Sequence, residues 1–149
     1  MKKTLHSIFS FIAFLMILLF FTSSLVVELF GSHETIAQVK HLIVFGLYIF
    51  IPIIALTGIT GFLLSKFRTG QLVEAKKKRM PLIAANGILI LLPAVIFLDK
   101  WASAGLFDTR FYIVQGLEFM AGGTNLFLMG LSLRDGLRLT KSIKIKKIS

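Results

Sequence analysis

The 149-residue chain contains no cysteine, and this absence excludes several kinds of chemistry at once. Disulfide bonds, thiolate metal sites and thiol nucleophiles all require that residue. Acidic residues are also scarce, with 7 Asp and Glu against 17 Lys and Arg, and there are only 3 histidines. The sequence has no glycine-rich phosphate loop, no HExxH-type helix and no supported set of Ser, His and Asp, so an enzyme is the less favoured class.

Apolar residues, in contrast, are abundant. They make up 56% of the chain, and the mean hydropathy of +0.85 is typical of an integral membrane protein. Lipid offers no hydrogen bonds to the backbone, so long apolar segments are expected to form helices. The sequence predicts an all-α integral membrane protein, a single domain (1–149) of four transmembrane helices in an antiparallel bundle. The predicted spans, each near or above the roughly 17 residues required, are about 7–30, 41–64, 81–98 and 111–133.

The start of the chain permits a second interpretation. A basic start before an apolar run also describes a cleaved secretory signal, with Thr22, Ser23 and Ser24 near the cleavage site. The apolar character resumes after these residues to a length that spans a membrane, which favours a retained helix.

Cationic residues are distributed unevenly. Two precede the first segment, six lie between residues 65 and 80, and six lie in the basic tail 134–149, whereas the other polar stretches carry only Lys40, Lys100 and Arg110. Cationic loops stay in the cytoplasm, so both termini are predicted inside, in the cytoplasmic membrane of a bacterium. The basic residues are expected to contact anionic lipids there. Nucleic-acid binding is not expected, because no stacking aromatics interleave with them.

Two of the three prolines lie in the middle of predicted spans. Pro52 and Pro93 each free the carbonyl group four residues earlier, that of Tyr48 and that of Leu89. Kinks are therefore predicted in the second and third helices.

Glu118 is the most informative residue inside an apolar segment, about 10 Å along its predicted helix. An ionisable residue at such a depth is a functional candidate by default. Spacings of three and four residues predict one stripe on this helix, formed by Gln115, Glu118, Gly122, Asn125 and Met129.

Matched depths predict partners for this stripe. Tyr48 is level with Glu118 and is expected to donate a hydrogen bond to its carboxyl group. Asn86 and Asn125 are expected to form a hydrogen bond to each other, or to Thr57 and Thr60.

The polar side chains of this stripe and their expected partners leave two functions open. The leading hypothesis is an accessory or interaction protein that acts through helix packing, as a homo-oligomer or in a larger membrane complex. The alternative is a site for protons, a quinone-like molecule or a small substrate, formed by Glu118, Tyr48, Gln115, Asn125 and Asn86.

Histidines and acids near the helix ends raise a third possibility. Imidazole and carboxylate groups suit zinc or copper(II), and the candidate ligands are His41, His33, Glu34 and Glu28. His33 and His41 are eight residues apart, whereas a spacing of four would place two ligands on one helical face. Haem b is a further hypothesis, because four-helix membrane bundles with histidines at helix ends often hold it. Residues 41–46 resemble a cytochrome b helix, which implies His41 as the haem ligand.

Overall fold

The structure is a computed structural model that describes residues 2–66 and 70–146, with side chains for 4–66 and 70–138. The described residues form four helices: α1 Lys2–Phe30, α2 His33–Lys66, α3 Gln71–Ser103 and α4 Thr109–Lys146. Part of the predicted basic pattern lies outside the described side chains, namely Lys2, Lys3, Arg68 and the tail lysines beyond residue 138.

Three helices are long and apolar enough to cross a membrane. Within the described chain these are α1 from Thr4, α2 and α3, whereas α4 does not meet the same requirement. Gln115, Glu118 and Asn125 lower the mean hydropathy of the predicted fourth span. The described part of the chain is therefore all-helical, with three candidate spans.

Each helix extends beyond the apolar segment that predicted it. The polar stretch 31–40 contains only a short turn, because α2 already begins at His33. Ser32 caps it, with the Thr35 backbone N–H 3.3 Å from the Ser32 hydroxyl. Hydropathy marks the residues that suit lipid, but a helix continues into polar residues until a cap or glycine ends it. Lys40 consequently lies inside α2 rather than in a loop.

The two mid-helix prolines have different local effects. Pro52 lies inside regular α-helix in α2. In α3, a π turn over Gly87–Leu91 ends two residues before Pro93, and the Leu92 N–H bonds to the Gly87 carbonyl five residues back. Pro93 has no N–H to offer the Leu89 carbonyl, so the irregular turn coincides with the break predicted there.

Two hydrophobic cores join the helices. The first consists of the buried residues Ile36, Leu98, Ala102 and Phe111, with Val27 of α1 packed against it. The second, called the central core, consists of Ala13, Ile17 and Met129, with residues of α2 and α3 packed against it. All four helices contribute to both cores.

Two local features define the connection between α3 and α4, one that ends α3 and one that begins α4. Gly105 has a φ of 72°, and the Leu106 N–H reaches back to the Trp101 carbonyl at 2.8 Å, which ends α3. Asp108 then accepts hydrogen bonds from the backbone N–H groups of Arg110 and Phe111, at 3.0 and 3.1 Å, and begins α4. We call this end of the molecule, residues 28–41 and 98–111, the acidic end, and the end that contains residues 65–80 the basic end.

Candidate functional site

A buried ion pair lies between α2 and α4 near the acidic end. The Lys40 ammonium group is 2.6 Å from Oε2 of Glu118, and the two residues are 0% and 8% exposed. Gln115, one turn earlier on α4, donates to the same oxygen at 2.6 Å. Ser24 of α1 donates to it at 3.4 Å and accepts from Lys40 at 2.6 Å. One carboxylate oxygen therefore receives donors from three helices.

The pair is enclosed by aromatic as well as polar groups. The Lys40 ammonium lies 6.0 Å from the centre of the Phe119 ring, within the range of a weak cation–π contact. Phe119 in turn packs edge-to-face with Phe21 of α1, at 5.9 Å between ring centres. A buried charge is tolerated only with a partner, and this one has an opposite charge and hydrogen bonds.

A second carboxylate stands close to the pair. Glu28, one turn after Ser24 on α1, lies within electrostatic range of Lys40, Glu118 and His33. Two acceptors in this region, Oε1 of Glu28 and Oε1 of Gln115, are buried without a hydrogen-bond partner in the part of the chain that the structure describes. If all three charged groups of this cluster are ionised, Lys40 balances only one of the two carboxylates.

A second polar contact joins α3 to α4, as predicted. Asn86 Nδ2 donates to Oδ1 of Asn125 and to the Ala121 carbonyl, each at 2.8 Å. Thr57 and Thr60, the other predicted partners, instead bond back to carbonyl groups one turn earlier in α2. Asn86 directly precedes the π turn, so this bond holds α3 to α4 beside its irregular segment.

A third contact joins the same helices at the basic end. The Arg79 guanidinium group donates to Oδ2 of Asp135 at 2.7 Å, and Asp135 is 1% exposed. This hydrogen bond holds the pKa of the Asp135 carboxyl group below its ordinary value. Arg79 is one of the six cations between residues 65 and 80 that are expected to contact anionic lipids, and in the structure its guanidinium group also holds α3 to α4.

The structure distributes the remaining predicted site residues differently. Glu118 and Gln115 are together, and the predicted stripe is buried on α4 through Met129. Tyr48, however, is 73% exposed and packs near Phe45, so the predicted bond to Glu118 is not formed. The residue of α2 that lies opposite Glu118 is Lys40, eight residues before Tyr48, so depth matching was wrong in height as well as in direction.

The candidate metal ligands also separate. His33 stacks on Phe107 with 4.0 Å between ring centres, and His41 Nδ1 lies 3.2 Å from Asp99. Glu34 is exposed, in the first turn of α2. Among the described residues, no group of three or more His, Asp or Glu is placed to hold a metal ion.

Sequence reasoning missed Lys40 and Ser24 as members of the site. Lys40 was assigned to a loop, although Ile36 and Ile43 place it on a stripe with spacings of four and three. Both isoleucines are 3% exposed, so Lys40 shares the buried face. The sequence marks Ser24 only as part of a possible cleavage site, but Ser24 is four residues from Glu28 on the same helical face.

Comparison with protein-family models, with curated proteins and with solved structures found no match to this chain.

Proposed function

We propose that this chain is a multi-pass accessory or interaction protein of a bacterial cytoplasmic membrane, and that it acts through helix packing. In this proposal the four helices form an antiparallel transmembrane bundle with both termini in the cytoplasm. The observation that carries the proposal is the convergence of donors from α1, α2 and α4 on one oxygen of Glu118. Such a contact fixes the relative position of three helices.

The fourth span is supported by the direction in which its polar residues face. Gln115, Glu118 and Asn125 are at most 8% exposed. The exposed large side chains on the same stretch are apolar, for example Leu117, Met120 and Phe127, which suits contact with lipid. The buried polar groups lower the mean hydropathy of α4, although they would not contact lipid in this arrangement.

The absence of cysteine makes this topology directly testable. Single cysteines are introduced at the exposed positions Ala104, Thr109, Gln71 and Leu137, and intact cells are treated with a membrane-impermeant maleimide. Positions 104 and 109 are expected to be labelled, and positions 71 and 137 only after the cells are opened. Labelling of both 109 and 137 in intact cells would show that α4 does not cross the membrane.

An interaction protein needs a surface for its partner, which we propose is the exposed apolar face of the helices. Met120 of α4 and Leu89 of α3 are 73% and 72% exposed. A photo-crosslinking amino acid at either position is expected to give a discrete protein adduct in cells, either with a second copy or with another membrane protein. Adducts with lipid alone at every exposed position would contradict the proposal.

Anionic lipids are proposed partners at the basic end, where Lys78 and Arg138 are exposed.

A proton site is the second candidate, favoured by the two buried acceptors without partners. A proton on Glu28 would supply a donor where the structure has a surplus of acceptors. Trp101 is the single tryptophan of the chain and packs against the core at the acidic end, so its fluorescence reports on this region. A pH-dependent signal that disappears in Glu28→Gln, and persists in His33→Gln, would support a proton site. A flat signal between about pH 5 and 8 would leave helix packing as the function.

A further inference from the structure

A cleft near the charged residues of the acidic end does not adjoin the Lys40–Glu118 pair. It lies between α2 and α3, on the outside of the molecule, and has a volume of about 350 Å³. This volume is within the usual range of small-molecule sites. The inference that follows rests on the membrane location proposed above, but not on the accessory role.

The walls of the cleft are aliphatic and come from both helices. Leu47 and Ile51 of α2 face Leu92 and Ile96 of α3. The cleft spans about 10 Å along α2, from Val44 to Ile51, at 1.5 Å per residue. Ile51 and Ile96 are 46% and 39% exposed, so the cleft opens sideways, toward the lipid in a membrane. Its walls suit a hydrocarbon chain lying parallel to the helices.

The end of the cleft is polar and carries charges of both signs. Asp99 and Lys100 are consecutive residues at its rim, near the end of α3. His41 occupies Oδ1 of Asp99 at 3.2 Å, which leaves the second carboxylate oxygen for another donor. Lys100 is exposed and forms no ion pair within the described residues. Tyr48 adds a phenolic hydroxyl group on the α2 side.

This arrangement is complementary to a zwitterion attached to a hydrocarbon chain. A phosphate group pairs with the Lys100 ammonium, and a primary amine donates to the Asp99 carboxylate. The phenol of Tyr48 donates to an ester carbonyl below the headgroup. A headgroup with only a negative charge satisfies Lys100 but places no donor against Asp99. A quaternary amine has the positive charge but no N–H to donate.

We propose that the cleft between α2 and α3 binds one phospholipid whose zwitterionic headgroup carries a primary amine, with the amine at Asp99 and the phosphate at Lys100. One acyl chain lies between the two helices. The site differs in position and chemistry from the buried ion pair, since its charged groups are at the rim and its interior is apolar.

The test compares three lipids on the purified protein in detergent. Dioleoyl phosphatidylethanolamine, phosphatidylcholine and phosphatidylglycerol have the same chains and differ in the headgroup. Native mass spectrometry is expected to show one retained phosphatidylethanolamine, bound about tenfold more tightly than the other two lipids. Extraction of the chain from cells only by detergent checks the membrane location separately. A chain that is soluble without detergent would contradict the membrane location, whereas equal retention of the three lipids would contradict the binding site alone.

Variants separate the headgroup contacts from the apolar slot. Asp99→Asn is expected to reduce the affinity for phosphatidylethanolamine to that for phosphatidylcholine, and Lys100→Gln to weaken both. Ile51→Trp fills the slot and is expected to abolish retention of all three lipids. Ile59→Trp, at a position 57% exposed on the same helix but outside the cleft, is the matched control and is expected to bind as the unmodified chain does.

Three results would overturn the proposal. The first is a preference for phosphatidylethanolamine that survives both Asp99→Asn and Lys100→Gln. The second is retention that Ile51→Trp leaves unchanged, which would mark the lipid as annular. The third is displacement of the lipid by a short-chain quinone at equal concentration, which would assign the cleft to another class of amphiphile.

Discussion

Removal of one partner from the Lys40–Glu118 pair is expected to destabilise the protein strongly and unequally. Lys40→Met keeps the length of the side chain but leaves Glu118 without its ammonium partner and removes the Lys40 charge from the neighbourhood of Glu28. Breaking a buried pair in this way costs about 3–5 kcal/mol of unfolding free energy. Glu118→Gln is expected to cost less, about 1–3 kcal/mol. Lys40 then retains Ser24 at 2.6 Å and has Glu28 as a second counterion.

The double variant Lys40→Met/Glu118→Gln tests whether the two effects share one cause. It removes both charges, and the amide oxygen introduced at position 118 still accepts the bond from Gln115. The double variant is expected to lose about 2 kcal/mol or less of unfolding free energy, well below the sum of the two single losses, because neither charge is left without its partner. The measurement is equilibrium unfolding in mixed micelles with increasing dodecyl sulfate, followed by the fluorescence of Trp101.

Arg110→Met is the matched control, because it removes an exposed cation from the same end of the molecule and outside the proposed lipid site. Its effect is expected to stay within about 0.5 kcal/mol. The reasoning is refuted if Lys40→Met is as mild as Arg110→Met. It is equally refuted if the double variant loses the sum of the two single effects, since the groups would then contribute independently.

Two further predictions concern α2 and the basic end. Gly46→Ala places a Cβ atom 2.6 Å from the Phe20 ring and is expected to cost about 1–3 kcal/mol in the same assay. Gly58→Ala, on the same helix with nothing within 4 Å, should instead stabilise by about 0.5–1 kcal/mol, and equal effects would contradict the packing of α1 on α2. Arg79 lowers the pKa of Asp135, so the stabilisation by the ionised carboxylate is complete above the ordinary value of 3.8 and is lost as the pH falls through the depressed one. The stability difference between the unmodified chain and Asp135→Asn should therefore shrink below about pH 4, and a difference that grows in acid would contradict this assignment.

Much of the helical organisation follows from one-dimensional patterns. Apolar runs locate all four helices, because a helix forms its backbone hydrogen bonds within the segment and about 20 apolar residues are enough to span the lipid. The spacing of three and four from Gln115 to Met129 identifies the buried stripe of α4, because residues on one face recur at that period. The contact between Asn86 and Asn125 follows from their similar depth on neighbouring helices.

Helix boundaries and side-chain direction were less predictable. A hydropathy average does not detect the cap at Ser32 or the early start of α2, so the sequence predicts Lys40 outside the second helix. Depth matching of Tyr48 with Glu118 depends on where α2 begins, and α2 begins at His33, eight residues before the predicted span, so Lys40 reaches Glu118 instead. The Tyr48 side chain also faces outward, and height carries no information about direction. A proline alone does not predict an irregular turn, because a π turn precedes Pro93 whereas Pro52 lies in regular α-helix.

The amino-acid sequence was sufficient for the number of helices in the described residues and for the presence of a costly carboxyl group in the fourth. These properties depend on composition and period, which are local. The partner of Glu118 depends on which faces of α1, α2 and α4 meet, and that arrangement results from the packing of whole helices around two cores. Only the tertiary structure therefore showed that Lys40 lies opposite Glu118, and that Asp99 and Lys100 sit at the rim of a cleft between α2 and α3.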